Sequence, residues 1–215
     1  MWYEAISDYS IFSNCHNLTL VSCSNIVNLS TLSNCHNLTL DYCINVPNAN
    51  VLSNCNNLTL INSNLSNVSA LGSCHSLTLK WCDNISDVSA LGSCKNLTLY
   101  NCKNITNVSA LGNCKNLELI ELDISDVSAI GNCKKLILHN CKNIIDVNAL
   151  GNCKNLLLDF CDNITDVSAL SNCKNLTLRW CNNISDISTL DFVPNLIIYD
   201  CYQLDNIHRV NGINL

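Results

Sequence analysis

Apolar residues along this chain recur in a rhythm that is neither helical nor simply alternating. In one stretch they fall at Cys15, Leu18, Leu20, Cys23, Ile26, Leu29, Leu32 and again at Cys35, a step of two at Leu-x-Leu and of three elsewhere. A step of two puts both leucines on one face of a short β-strand. Steps of three suit 3₁₀ turns or extended coil, in which every third side chain points the same way. The Leu-x-Leu pair returns at 38/40, 58/60, 77/79, 97/99, 117/119, 136/138, 156/158 and 176/178, and Leu196/Ile198 closes the series. The spacing predicts about ten coils of 19 or 20 residues, with their strands side by side in one parallel sheet at a spacing of about 4.8 Å. A single coil cannot bury its own inward side chains, so residues 1–215 are expected to form one stacked domain held by contacts between neighbouring coils.

Cysteine fits this frame. Nine of the seventeen cysteines precede a strand (Cys15, Cys35, Cys55, Cys74, Cys94, Cys114, Cys133, Cys153, Cys173) and eight follow one (Cys23, Cys43, Cys82, Cys102, Cys141, Cys161, Cys181, Cys201), all at inward positions. Two ladders of reduced core thiols are expected, because Cys packs as a small hydrophobe. The closest pair is eight residues apart, which does not match metal-ligand or redox spacing. Disulfides between rungs would demand an oxidising compartment.

The run Cys-x-x-Leu-x-Leu-x-x-Cys-x-x-Ile-Thr-Asp, as from Cys153 to Asp166, resembles the leucine-rich-repeat superfamily and in particular its cysteine-containing subclass, known from F-box substrate adaptors. The return Asp-Val-Ser-Ala-Leu, at Asp87 to Leu91 and Asp166 to Leu170, is similar to internalin-like repeats. The resemblance covers nearly the whole chain and implies a leucine-rich-repeat solenoid with a curved parallel sheet on its concave face. The unit is shorter than in the cysteine-containing subclass, so the convex side should consist of turns and 3₁₀ segments with little α-helix. The 37 asparagines make the chain similar to Asn-rich leucine-rich-repeat proteins of large DNA viruses.

Two units are one residue short. In both, the second Cys is replaced, by Ser63 and by Leu122, and the next inward residue (Leu65, Ile124) comes a position early, which predicts a tighter turn there. Both ends read as half-repeats: Ile6 to Phe12 matches a return segment, and Val210 and Ile213 keep the inward phase. With Trp2, Tyr3, Tyr9 and Phe12 rather than a polar cap at one end, end-to-end self-association is expected.

Within each unit the residue between the leucines is nearly constant, but the two after the second Leu vary. Strand alternation puts the first of these on the concave face and the second at its border. Tyr42, Lys80, Trp81, Tyr100, Asp159, Phe160, Arg179, Trp180, Tyr199 and Asp200 gather in this strip, whose mix of aromatic and charged residues is that of protein-interface anchors. A row of Lys95, Lys115, Lys134, Lys154 and Lys174 after the first Cys reads as a solvated rim, and Asp87, Asp126, Asp146, Asp166 and Asp186 read as turn formers bonding their own backbone.

A net charge of −6 argues against nucleic acid, whose binding rests on Lys and Arg neutralising phosphates. No stretch is long and apolar enough to span a membrane, and Met1 to Glu4 has no secretory character, so an intracellular, cytoplasmic protein is expected. No nucleophile elbow, phosphate loop or metal motif is present, and neither cofactor nor metal is expected. The reading is a non-enzymatic scaffold for a protein or peptide partner. Its alternatives are a ubiquitin-ligase substrate adaptor, for which an F-box has no room before Tyr9, and a thiol-dependent or metal protein, which would need reactive rather than buried thiols.

Overall fold

In a computed structural model, residues 9–23, 26, 28–43 and 49–204 are described. Ten five-residue strands, from Asn17–Val21 through to Asn195–Tyr199, lie in sequence order in one parallel sheet. Their register advances by 20 residues per coil, except at Asn57↔Ser76 and Asn116↔Lys135, where it advances by 19. Every leucine of a Leu-x-Leu pair therefore stacks on its counterpart, and side chains 20 residues apart in sequence become neighbours about 4.8 Å apart in space.

Each strand is followed by a turn, an extended segment and a short 3₁₀ stretch such as Ser89–Ser93. There the Leu91 N–H donates to the Val88 carbonyl (2.9 Å) and the Cys94 N–H to the Leu91 carbonyl (3.0 Å). Among the described residues the return contains 3₁₀ segments and no α-helix, as the short unit implies. The start of the stretch is fixed by an Asx turn: Asp87 Oδ1 accepts from the Ser89 N–H at 2.8 Å, and Asp126, Asp146, Asp166 and Asp186 do the same in their coils. Asn67 and Asn107 fill this role where Asp is absent. At the other end of the segment coils come very close. A Cβ on Gly112 would lie 2.3 Å from the Ala129 carbonyl oxygen of the next coil, so glycine permits this approach.

The inward leucines, isoleucines, valines and cysteines of the central coils form one continuous buried core. Cys15, Leu18 and Cys23 in the first described coil and Leu196 in the last are only partly buried, and among the described residues their strands pair on one side alone. Of the predicted half-repeats, Tyr9 is buried and its ring lies 6.3 Å from that of Phe12, which packs against the core. Trp2, Tyr3, Val210 and Ile213 lie outside the described residues.

In the short coils the tighter turn that their spacing predicts does not form: residues 63–68 and 122–127 run extended, where full-length coils turn at positions such as 103–104. In full-length coils the Ile N–H closes a turn onto the Cys carbonyl, as from Ile105 to Cys102 at 3.0 Å. At Leu65 the N–H instead meets the hydroxyl of buried Ser63 at 3.3 Å, and Leu122 simply fills the core position.

Asparagine also turns out to be architectural. Asn116 Nδ2 donates to Asn96 Oδ1 (2.6 Å) and Asn195 Nδ2 to Asn175 Oδ1 (2.6 Å), so amides ladder along the first strand position. A second ladder follows the second Cys, where Asn163 Nδ2 donates to the Lys142 carbonyl (2.6 Å) and Asn183 Nδ2 to that of Asp162 (2.7 Å). These amides satisfy each other and the backbone from coil to coil, which gives the high asparagine content a physical reason.

Hydrogen bonds from the Ser backbone N–H and hydroxyl hold the exposed carboxyls of Asp87, Asp126, Asp166 and Asp186 below their usual 3.8. Because the folded value lies below the unfolded one, the stabilisation is present above about pH 4 and is lost as pH falls through the folded values. Thermal melts should therefore hold steady between about pH 7 and 5 and drop below about 4. Replacing these four residues by Asn should make the acid drop shallower, and an unchanged acid profile would refute the role assigned to this column.

Candidate functional site

The variable strip runs along the edge where strands meet their turns. The first variable residue ends each strand and points out of the sheet. The second has a backbone feature invisible in the sequence: Ser22, Tyr42, Asn62, Trp81, Asn101, Glu121, Asn140, Phe160, Trp180 and Asp200 all have φ between 47° and 55°. For a residue other than glycine this left-handed conformation costs roughly 1–2 kcal/mol. Asn and Asp tolerate it best, whereas bulky side chains are outliers there. Coil stacking enforces it. The Trp81 N–H donates to the Tyr100 carbonyl (2.9 Å) and the Phe160 N–H to that of Arg179 (3.0 Å), which prolongs the sheet ladder one residue past the strand.

The sequence-predicted residues fall into two groups. Towards the N-terminus, Tyr42 and Trp81 flank a hollow of about 310 Å³ that Asn62, Asn64 and Asp83 also line. Trp81 meets Tyr100 edge-on with ring centroids 5.0 Å apart, and Tyr100 Oη donates to Glu121 Oε1 at 3.3 Å. Lys80 stands half-buried between Ile61 and Tyr100 on the adjoining strands. Towards the C-terminus, Phe160 and Trp180 stack face to face, with centroids 5.5 Å apart and 6° between planes. Tyr199 and Tyr202 meet Trp180 edge-on, and the Arg179 guanidinium lies 5.8 Å above the Tyr199 ring. Asp200 is exposed beyond them. Between Tyr100 and Phe160 lie the coils of Glu121 and Asn140, and His139 of the latter meets Phe160 edge-on with ring centroids 5.7 Å apart.

Next to the second group lies a polar trio on three successive strands, with His139, Asp159 and Arg179 in register. His139 Nδ1 is 3.0 Å and Arg179 Nη1 3.8 Å from Asp159 Oδ2. Asp159 Oδ1 is buried without a hydrogen-bond partner, as is Asp41 Oδ1. Each of these carboxylates directly precedes an aromatic residue of the left-handed column, Phe160 and Tyr42. An unsatisfied buried acceptor costs about 1–3 kcal/mol. The strip therefore carries two kinds of local cost at the same places.

Sequence reasoning missed His139, Glu121 and Tyr202. His139 and Glu121 stand in the variable columns, and reading those columns from coil to coil would have put His139 beside Asp159. Tyr202 belongs to the turn column after the second Cys and carried no such signal.

The thiols are mostly buried. All seventeen are free. Cys94 Sγ lies 3.5 Å from the Leu71 carbonyl oxygen one coil back, and Cys181 Sγ 3.5 Å from that of Leu158, so both of these thiols donate a weak hydrogen bond into the preceding coil. Cysteine thus fills a small apolar space and serves a buried carbonyl at once. Burial pushes the Cys55, Cys94, Cys133, Cys141, Cys153 and Cys181 thiols up to about 12. That direction opposes nucleophilic activation, whereas Cys82 is held below its usual value by a hydrogen bond from Cys102. Among the described residues no group of three or more His, Cys, Asp or Glu side chains is placed to hold a metal ion, and no helix is long and apolar enough to cross a membrane.

No protein-family model matches this chain, and no curated protein matches it. Solved structures do match. An internalin of Listeria monocytogenes, InlF, superposes with a TM-score of 0.60 at 20% identity over 90% of this chain and 70% of that one. The leucine-rich-repeat domain of the type III effector XopL gives a TM-score of 0.65 at 18% identity over 86% of this chain and 76% of that one. The fold is a leucine-rich-repeat solenoid. In such a solenoid the outward face of the sheet is the concave face, and the two aromatic groups lie along its edge.

Native thiol labelling checks the ladder assignment. In native buffer only Cys15 and Cys23, the two partly exposed thiols, should react quickly, with the rest reacting after unfolding in denaturant. Rapid native labelling of central rungs such as Cys94 or Cys161 would contradict it.

Proposed function

We propose that this leucine-rich-repeat solenoid is a non-enzymatic scaffold that binds a protein or peptide partner along the strip formed by Tyr42, Trp81, Tyr100, Phe160, Trp180 and Tyr199. Leucine-rich-repeat folds commonly mediate protein–protein interaction. One observation carries the placement. Tyr42, Trp81, Phe160 and Trp180 occupy left-handed backbone that Asn62, Asn101 and Asn140 occupy at less cost in sister coils. Folding alone favours Asn at every such position. Local strain of this kind persists where it serves a site.

Exposure supports the same reading. Tyr42 is 54% exposed, Trp81 41% and Tyr199 53%, so large apolar area is held ready in ordered rings. Aromatic anchors and Arg are the usual carriers of interface energy. The pair His139–Asp159 makes no hydrogen bond to a hydroxyl or thiol among the described residues, which supports a binding rather than a catalytic role. Ladders of free thiols suit the reducing interior of a cell, and we place the scaffold there.

The test uses Trp81→Asn and Trp180→Asn, since Asn already fits this column. Each should fold with a melting temperature at or above that of the parent. Each should weaken capture of the partner from the native host's lysate by about 2 kcal/mol, roughly 30-fold in affinity. Undiminished capture by the double variant would overturn this placement of the site.

A further inference from the structure

The aromatic strip leaves the opposite edge of the sheet unexplained. There Lys95, Lys115, Lys134, Lys154 and Lys174 stand one above another, all exposed, at rung spacing of about 4.8 Å. The column is fixed by its backbone: the Lys115 N–H donates to the Lys95 carbonyl at 3.1 Å and the Lys135 N–H to that of Lys115 at 3.0 Å. Like charges stacked this closely repel, yet no counter-charge accompanies them. Among the described residues the ion pairs are Lys135 with Glu118 and Asp159 with His139 and Arg179, and none involves this row. The chain as a whole carries −6, so this edge is a positive strip on an acidic protein.

The row also borders a concavity. A groove of about 590 Å³ is lined by Lys95, Lys115, Lys134 and Lys154 together with side chains including Asn113 and Asn132. It lies beside the short coil whose 3₁₀ stretch, Ser128–Ile130, is three residues long where its neighbours have five.

We infer that this groove is a second binding site, which takes an extended acidic peptide segment with carboxylates on alternate residues. Four lysines at rung spacing cover about 14 Å, and same-face side chains of an extended peptide repeat about every 6.6 Å, so three alternate carboxylates span the row. Ammonium groups on flexible stems absorb the mismatch in pitch. The Asn amides between them offer both donors and acceptors to a peptide backbone. The lining has no aromatic ring on which a base could stack and no Arg to clasp phosphate, which disfavours single-stranded nucleic acid. A flat lipid surface would meet the lysine tips and leave the groove unfilled. The site does not depend on the aromatic strip, and either can fail without the other.

The test is fluorescence anisotropy with a labelled peptide of alternating Glu and Ser, about ten residues long, with binding expected to weaken at least tenfold between about 50 and 300 mM NaCl. Lys115→Gln/Lys134→Gln should weaken binding at least about fivefold, while the charge-matched control Lys103→Gln/Lys142→Gln, on exposed lysines outside the row, should change it less than about twofold. Should the row variant melt early, the parent protein decides: bound peptide should slow reductive methylation of Lys115 and Lys134 but not of Lys103. Equal weakening by both variants, no binding at low salt, or tighter binding of an oligothymidine or an anionic phosphatidylserine vesicle than of the peptide would each overturn the inference.

Discussion

Everything in this molecule depends on the in-register stacking of one coil on the next. Parallel pairing at about 4.8 Å means that each side chain has its own counterpart above and below, so every column must be filled by residues that tolerate self-contact. Leucine meets this by packing alone. Cysteine meets it by packing and by passing a weak hydrogen bond to the carbonyl one coil back, as at Cys94 and Leu71. Asparagine does it by amide ladders, as from Asn116 to Asn96. Lysine satisfies it only at the rim, where water screens the repulsion.

The same constraint separates frame from function. Columns facing the core or closing a turn vary little, because a change there disturbs two interfaces at once. The two positions after the second leucine largely escape this, since nearly all their side chains are exposed or half-buried. There the composition stops following the needs of the fold: bulky rings sit in left-handed backbone, and the carboxylates of Asp41 and Asp159 each keep one oxygen buried and unpaired. Those departures from local consistency mark the strip more sharply than its aromatic content does.

The strand positions, the inward cysteines, the 3₁₀ return and the Asx turns at the Asp column were all legible in the sequence, because each follows from period or from a side chain bonding its own backbone. Three things were not. The left-handed column carries no glycine among its ten members, so the usual signal for positive φ was missing. The asparagine ladders act between residues 20 or 21 apart, and reading along the chain takes them for compositional bias. The contact of His139 with Asp159 likewise exists only across coils, where local spacing says nothing. In each case the information lay in comparing columns between coils rather than in reading along one of them.

If neighbouring coils are the source of stability, protection must follow the number of neighbours. Native-state amide hydrogen exchange on the intact chain measures this directly. The strand amides and the amides of the left-handed residues from about Leu77 to Arg179 should exchange slowest, with protection falling towards Asn17–Val21 and Asn195–Tyr199, whose strands pair on one side only among the described residues. A uniform exchange rate along the whole array, or faster exchange in the centre than at the ends, would contradict this source of stability.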